Sequence, residues 1–108
     1  MNANEYQKQT INTAIYPGAG TGDNRELVYL ALGLASEAGE VAGKIKKLIR
    51  DGLFEPKQLG AELGDCCWYI ARLAEALGYD FETIFRWNFE KLKRRKENNV
   101  LNGSGDNR

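Results

Sequence analysis

Two acidic pairs, Glu37-x-x-Glu40 and Glu62-x-x-Asp65, lie 21 residues apart in segments with helical patterning. Residues three apart are neighbours on a helix surface. Each pair therefore offers two carboxylates to one side, and two such helices packed together could gather four. Acids that close repel or take up protons unless a cation sits among them. The chain has no histidine. Its absence removes Ser-His-Asp and Cys-His catalysis, His-ligated zinc and the Glu-x-x-His motif of di-iron bundles. A donor set of oxygens alone suits Mg²⁺, with Mn²⁺ as a substitute.

The elements that must position these acids can be read from apolar spacing and caps. The pattern predicts a first helix from about Asn4 to Tyr16, stopped by Pro17-Gly18. A second follows Asp23 or Asn24 as N-cap and runs to about Arg50, ending at Asp51-Gly52. Pro56 suits the first turn of a third, which continues to Leu77 with Gly78 as C-cap. Asp80 caps a fourth, from Phe81 to about Lys96. No segment alternates with period two, so the expected fold is all-α, a four-helix bundle-like single domain of residues 1–97. A polar tail, 98–108, is expected to fray. Pro17 to Asp23 is glycine-rich like a phosphate loop, but no strand precedes it and no Gly-Lys-Ser/Thr follows. It is expected to be a flexible connection.

On a helical wheel both acidic pairs border an apolar seam. In the second helix that seam is Leu27, Leu30, Leu34, Ala38, Val41, Ile45 and Leu48; in the third it is Leu59, Leu63, Cys66, Ile70, Leu73 and Leu77. A single Glu-x-x-Glu is usually a solvated face with i,i+4 ion pairs, and Glu40 to Lys44 could be one. Two pairs on consecutive helices, both beside the core, weaken that reading. Gly33, Gly39 and Gly43 interrupt the second helix, where each costs up to about 1 kcal/mol relative to Ala. They point to close approach of another helix, within the chain or from a second subunit. Asn88 falls on the apolar face of the fourth helix, with Lys91 and Arg95 beside it. An amide directed inward needs its hydrogen bonds made. It could contact a nucleotide, or bond to neighbouring backbone.

Composition sets outer bounds. At 108 residues with no net charge, the chain is one small domain with no global field to attract nucleic acid or an anionic membrane. No apolar run approaches 18 residues and no leader pattern opens the chain, so it is expected to be soluble and cytoplasmic. Cys66 and Cys67 are adjacent in an apolar stretch and are expected to be buried structural thiols.

The wording around the acids resembles a known family. Ser36-Glu37-Ala38-Gly39-Glu40-Val41-Ala42, Glu62-Leu63-Gly64-Asp65-Cys66-Cys67-Trp68-Tyr69 and Asn88-Phe89-Glu90-Lys91-Leu92 are similar to the metal-helix words and the downstream Asn-x-x-Lys motif of MazG-like, all-α nucleoside triphosphate pyrophosphohydrolases. The resemblance spans roughly Leu30 to Arg95. It implies a Mg²⁺-dependent enzyme that splits a nucleoside triphosphate into monophosphate and pyrophosphate. It also implies a homodimer or dimer of dimers with sites near subunit interfaces. Carried over, Glu37, Glu40, Glu62 and Asp65 would hold metal, Asn88 and Lys91 would contact the nucleotide, and Tyr69 would face substrate. The family often has two successive acids where this chain has Ser36-Glu37, which removes any role for the extra acid. Lys44 and Arg95 are further candidates for the triphosphate. Trp68 and Trp87 could stack on a base, or fill a subunit interface. The alternative is a non-catalytic helical interaction module whose acids are solvated.

Overall fold

The computed structural model describes residues 1–106. It contains α1 (Ala3–Gln9), a 3₁₀ turn (Thr10–Thr13), α2 (Asn24–Asp51), α3 (Pro56–Ala76) and α4 (Phe81–Glu97), and no strand among the described residues. The all-α expectation holds. The Asp23 carboxylate accepts from the Glu26 amide at 3.1 Å and starts α2, and Gly52 ends it in the left-handed region at φ 70°. Pro56 opens α3, and the Asp80 carboxylate accepts from Thr83 N at 2.8 Å to start α4. The C-cap of α3 is Leu77, and Gly78, expected as the cap, follows it with φ 85°.

The first helix is shorter than its periodicity predicts. Thr10 Oγ1 donates to the Gln7 carbonyl at 2.6 Å, and Thr13 Oγ1 to that of Thr10 at 3.2 Å. Hydroxyls of this kind compete with the backbone ladder, and the chain tightens into the 3₁₀ turn before Pro17. Ile11 and Ile15, at helical spacing in that predicted helix, are exposed.

α2 and α3 form an antiparallel hairpin, and α1 and α4 pack on α3 rather than on α2. The core sits at one end. There Tyr16, Leu30, Ala71, Ala74 and Phe81 are buried together with the polar residues Gln7, Thr10, Glu26 and Arg72. Gln7 ties this end together: its amide donates to the Tyr79 carbonyl at 2.9 Å and its Oε1 accepts from Phe81 N at 2.9 Å. The hairpin's other end is bare, with Ile49, Leu53 and Phe54 exposed. The radius of gyration is 16.4 Å, against about 13 Å for a compact chain of this length.

Two further expectations are corrected. Cys67 is exposed and Cys66 only half-buried, because Cys67 opens onto a groove between α3 and α4 that none of the described residues fills. The Pro17–Asp23 connection is tied down, since Gly20 N and Gly22 N donate to the Glu26 carboxylate at 2.7 and 2.8 Å. After α4 the chain turns back. Asp106 accepts from Lys91 Nζ at 3.3 Å and from Arg95 Nη2 at 3.2 Å. The fraying expected of residues 107 and 108 lies outside the described residues. No helix among the described residues is long and apolar enough to cross a membrane.

Candidate metal centre

The antiparallel register of the hairpin sets the middle of α2 against the first half of α3. Glu37, Glu62 and Asp65 each bring one carboxylate oxygen within 4.8 Å of the others. Glu37 and Glu62 are half-buried and Asp65 is exposed, so the cluster opens to solvent on one side. Partial burial pushes the Glu37 carboxyl above its ordinary range, and the charges of Asp65, Glu62 and Glu40 push it further, as does a hydrogen bond with Glu62. A carboxyl that resists ionisation beside neighbouring acids is what a cation would relieve. Three carboxylates with no nitrogen or sulfur donor suit a hard divalent ion such as Mg²⁺. The residues present therefore fit the ion.

Glu40 stands apart from this trio. It is exposed, one turn beyond Glu37, and reaches the centre through its field on Glu37. Among the described residues no ion pair joins Glu40 to Lys44, and none uses Glu37, Glu62 or Asp65. Lys44 is half-buried and lines a separate hollow near the hairpin tip with Asp51, Phe54 and Glu55.

An open cleft of about 370 Å³ fronts the acids, lined by Thr13, Glu37, Asp65, Trp68 and Tyr69. Tyr69 follows Asp65 by one turn and lies against α2 where Gly33 leaves room. A Cβ on Gly33 would come within 2.1 Å of the Tyr69 ring. This is a close approach of the kind that the glycines of α2 predict, and it is made within the chain. Gly39 and Gly43 meet nothing within 4 Å in the same copy. Burial raises the Tyr69 phenol above its ordinary value, helped by Tyr29 and by the Glu37 charge. Trp68 packs edge-on to Tyr69, ring centroids 5.0 Å apart, and its Nε1 donates to Thr13 Oγ1 at 2.8 Å.

The three candidates on α4 are elsewhere. Asn88 shares its helix face with Ile84, Phe85 and Leu92, but this face looks into the open α3–α4 groove. The amide expected to point inward is exposed, because no element among the described residues covers α4 there. Lys91 and Arg95 are held by Asp106, with Arg95 buried and its Nε lacking a partner among the described residues. Trp87 is half-exposed and packs on Tyr79, not on the cleft. The sequence reading missed Thr13, which reaches the cleft only because the 3₁₀ turn lies against α3. No local signal marks it.

The chain matches the family model described as the MazG nucleotide pyrophosphohydrolase domain over residues 26–100. It is 46% identical over 114 positions to the Gene 37 protein of Mycobacterium phage L5, with 100% of each chain covered. That relative's name states no activity. No solved structure matches.

Proposed function

Because the chain belongs to the MazG nucleotide pyrophosphohydrolase family, we propose that it hydrolyses (deoxy)nucleoside triphosphates between the α- and β-phosphates in the presence of Mg²⁺. The products are the nucleoside monophosphate and pyrophosphate. The convergence of Glu37, Glu62 and Asp65 from two helices supports this reading most directly. These three carboxylates would hold the ion, with Glu40 completing the set or acting on the attacking water. Mn²⁺ should substitute. The ion would supply neutralising charge to the triphosphate and make the attacking water more acidic.

The remaining steps belong to the chain's own groups. Water attacks the α-phosphorus, the bond to the bridging oxygen breaks, and pyrophosphate leaves with the electron pair. Glu40, solvent-facing and outside the trio, is our choice to accept the water's proton. Trp68 and Tyr69 would contact the nucleotide from the cleft wall. Lys44, one turn beyond Glu40, would serve the triphosphate tail. Asn88, Lys91 and Arg95 do not line the cleft of their own chain, so they would serve a nucleotide held by a second copy, Lys91 and the buried Arg95 after release from Asp106. The extended shape of one chain and the exposed Phe85, Phe89 and Leu92 on α4 support a homodimer or dimer of dimers. Residues 1–97 would form the catalytic unit, with 98–108 an appendage. A nucleotide-cleaving activity of this kind fits a cytoplasmic protein.

The test is a panel of canonical and modified triphosphates incubated with Mg²⁺, with the products identified. Monophosphate plus pyrophosphate is expected, abolished by Asp65→Asn and Glu40→Gln with the fold retained. Release of orthophosphate would overturn the proposal. The alternative, a non-catalytic module with solvated acidic faces, predicts no response of the melting temperature to Mg²⁺.

A further inference from the structure

Glu26 is the most deeply buried charged group among the described residues, with none of its surface exposed. It lies on the first turn of α2, where a carboxylate suits the helix N-terminus. Its Oε2 accepts from the Tyr16 hydroxyl at 2.5 Å and from Gly20 N at 2.7 Å, and its Oε1 from Gly22 N at 2.8 Å. The buried Arg72 guanidinium stands 4.0 Å away. Both oxygens are thus engaged inside the protein, so Glu26 is not a ligand for anything outside it. The glycine-rich connection that resembles a phosphate loop wraps the chain's own carboxylate instead.

The consequence reaches the acid cleft through Tyr16. Its ring stacks on Tyr29, centroids 4.9 Å apart and 11° from parallel, and meets the Trp68 ring edge-on at 6.0 Å. Trp68 in turn holds Thr13 and packs on Tyr69, and these three line the cleft beside Glu37 and Asp65. A short, charge-assisted hydrogen bond fixes a phenol more firmly than packing alone. We infer that Glu26 is a positioning residue of the active site: through Tyr16 it fixes the Thr13–Trp68–Tyr69 wall against which the nucleotide is held. This rests on the pyrophosphohydrolase reading for its kinetic consequence, but the ordering of Trp68 does not.

The wall faces the body of the substrate rather than the metal-binding oxygens. Loosening it removes binding shared by ground and transition states, which raises KM and leaves kcat in place. Tyr16→Phe cuts the hydroxyl link while keeping the rings, and Glu26→Gln sets an amide against the loop's N–H donors. Asp80→Ala serves as the control, since it removes the cap of α4, whose donor is Thr83 N, and leaves the contacts of Glu26 in place. We expect Tyr16→Phe to raise KM about three- to tenfold, the scale of one ordering hydrogen bond, with kcat within about twofold of wild type. Glu26→Gln should raise it further. Asp80→Ala should lower the melting temperature without moving KM.

In a Trp87→Phe background, which leaves Trp68 as the sole tryptophan, Tyr16→Phe and Glu26→Gln should red-shift its emission and increase its quenching by acrylamide. If Glu26→Gln fails to fold, Tyr16→Phe decides. Unchanged Trp68 emission in Tyr16→Phe overturns the inference, whatever the enzyme turns over. So does a fall in kcat at constant KM. If wild type cleaves no triphosphate, the functional reading fails and the emission measurement still judges the positioning.

Discussion

Replacing Gly33 by alanine tests how the cleft wall is built. A methyl at that position would stand 2.1, 2.5 and 2.6 Å from Cε1, Cζ and Cδ1 of Tyr69. No van der Waals contact is that short, so the ring must swing away from α2. Trp68 packs on Tyr69 from another side, at 5.0 Å, and the motion disturbs the cleft beside Asp65. Overpacking of this kind costs about 1–3 kcal/mol. Helix propensity returns up to about 1 kcal/mol, because Ala is preferred to Gly inside a helix. The net loss is about 0–2 kcal/mol, with about 1 kcal/mol the central value. Gly60, in α3, has nothing within 4 Å of the same imaginary methyl. Gly60→Ala therefore keeps the propensity gain without the clash. The two alanine variants should differ by about 1–3 kcal/mol, which for a domain of this size separates their melting temperatures by on the order of 10 °C. Thermal unfolding followed by circular dichroism reads this difference, and KM for the cleaved triphosphate should rise in Gly33→Ala alone. Equal stabilisation of both variants, with KM unmoved, would refute the placement of Tyr69 against α2.

Three other outcomes follow from the same geometry. Mg²⁺ should raise the melting temperature of the wild type, by the equivalent of about 2.7 kcal/mol at a hundred times Kd, and Asp65→Asn should lose most of that response in a metal titration. Burial opposes the charge on Glu26, yet Tyr16, the Gly20 and Gly22 amides and Arg72 together hold its carboxyl below the ordinary range. Its stabilisation is therefore complete above the usual glutamate value of about 4.3 and is lost as pH falls through the lower folded value. Acid unfolding profiles should show a shallower limb in Glu26→Gln over that window. Finally, Phe89→Glu puts a charge on the exposed apolar face of α4, where the native ring is 67% exposed. Sedimentation should shift toward the monomer, and a wild type that already sediments as a monomer would remove the second copy from the proposed site.

Much of the chain is legible without coordinates because helix boundaries are local chemistry. Asp23, Gly52, Pro56 and Asp80 mark starts and stops through backbone geometry and single hydrogen bonds within a few residues. The three-residue spacing of the acids, on two consecutive helices, likewise announces a shared face before any packing is known. The α2 glycines are half-legible. Their number predicts a close approach, but only the structure shows that a methyl on Gly33 would meet Tyr69 while one on Gly39 or Gly43 would meet nothing within 4 Å among the described residues.

The register between elements decided the rest. Periodicity says which side chains share a face and nothing about which face of another helix lies opposite. Glu37 gathers with Glu62 and Asp65, leaving Glu40 at the edge, because of how α2 slides against α3. Asn88 is bare because the groove between α3 and α4 is left open by the described residues. Glu26 looks like an ordinary first-turn acid in the sequence, and it is buried only because a glycine loop, Tyr16 and Arg72 converge on it. Caps and spacing are set by neighbours along the chain, whereas burial and convergence come from residues brought together by packing.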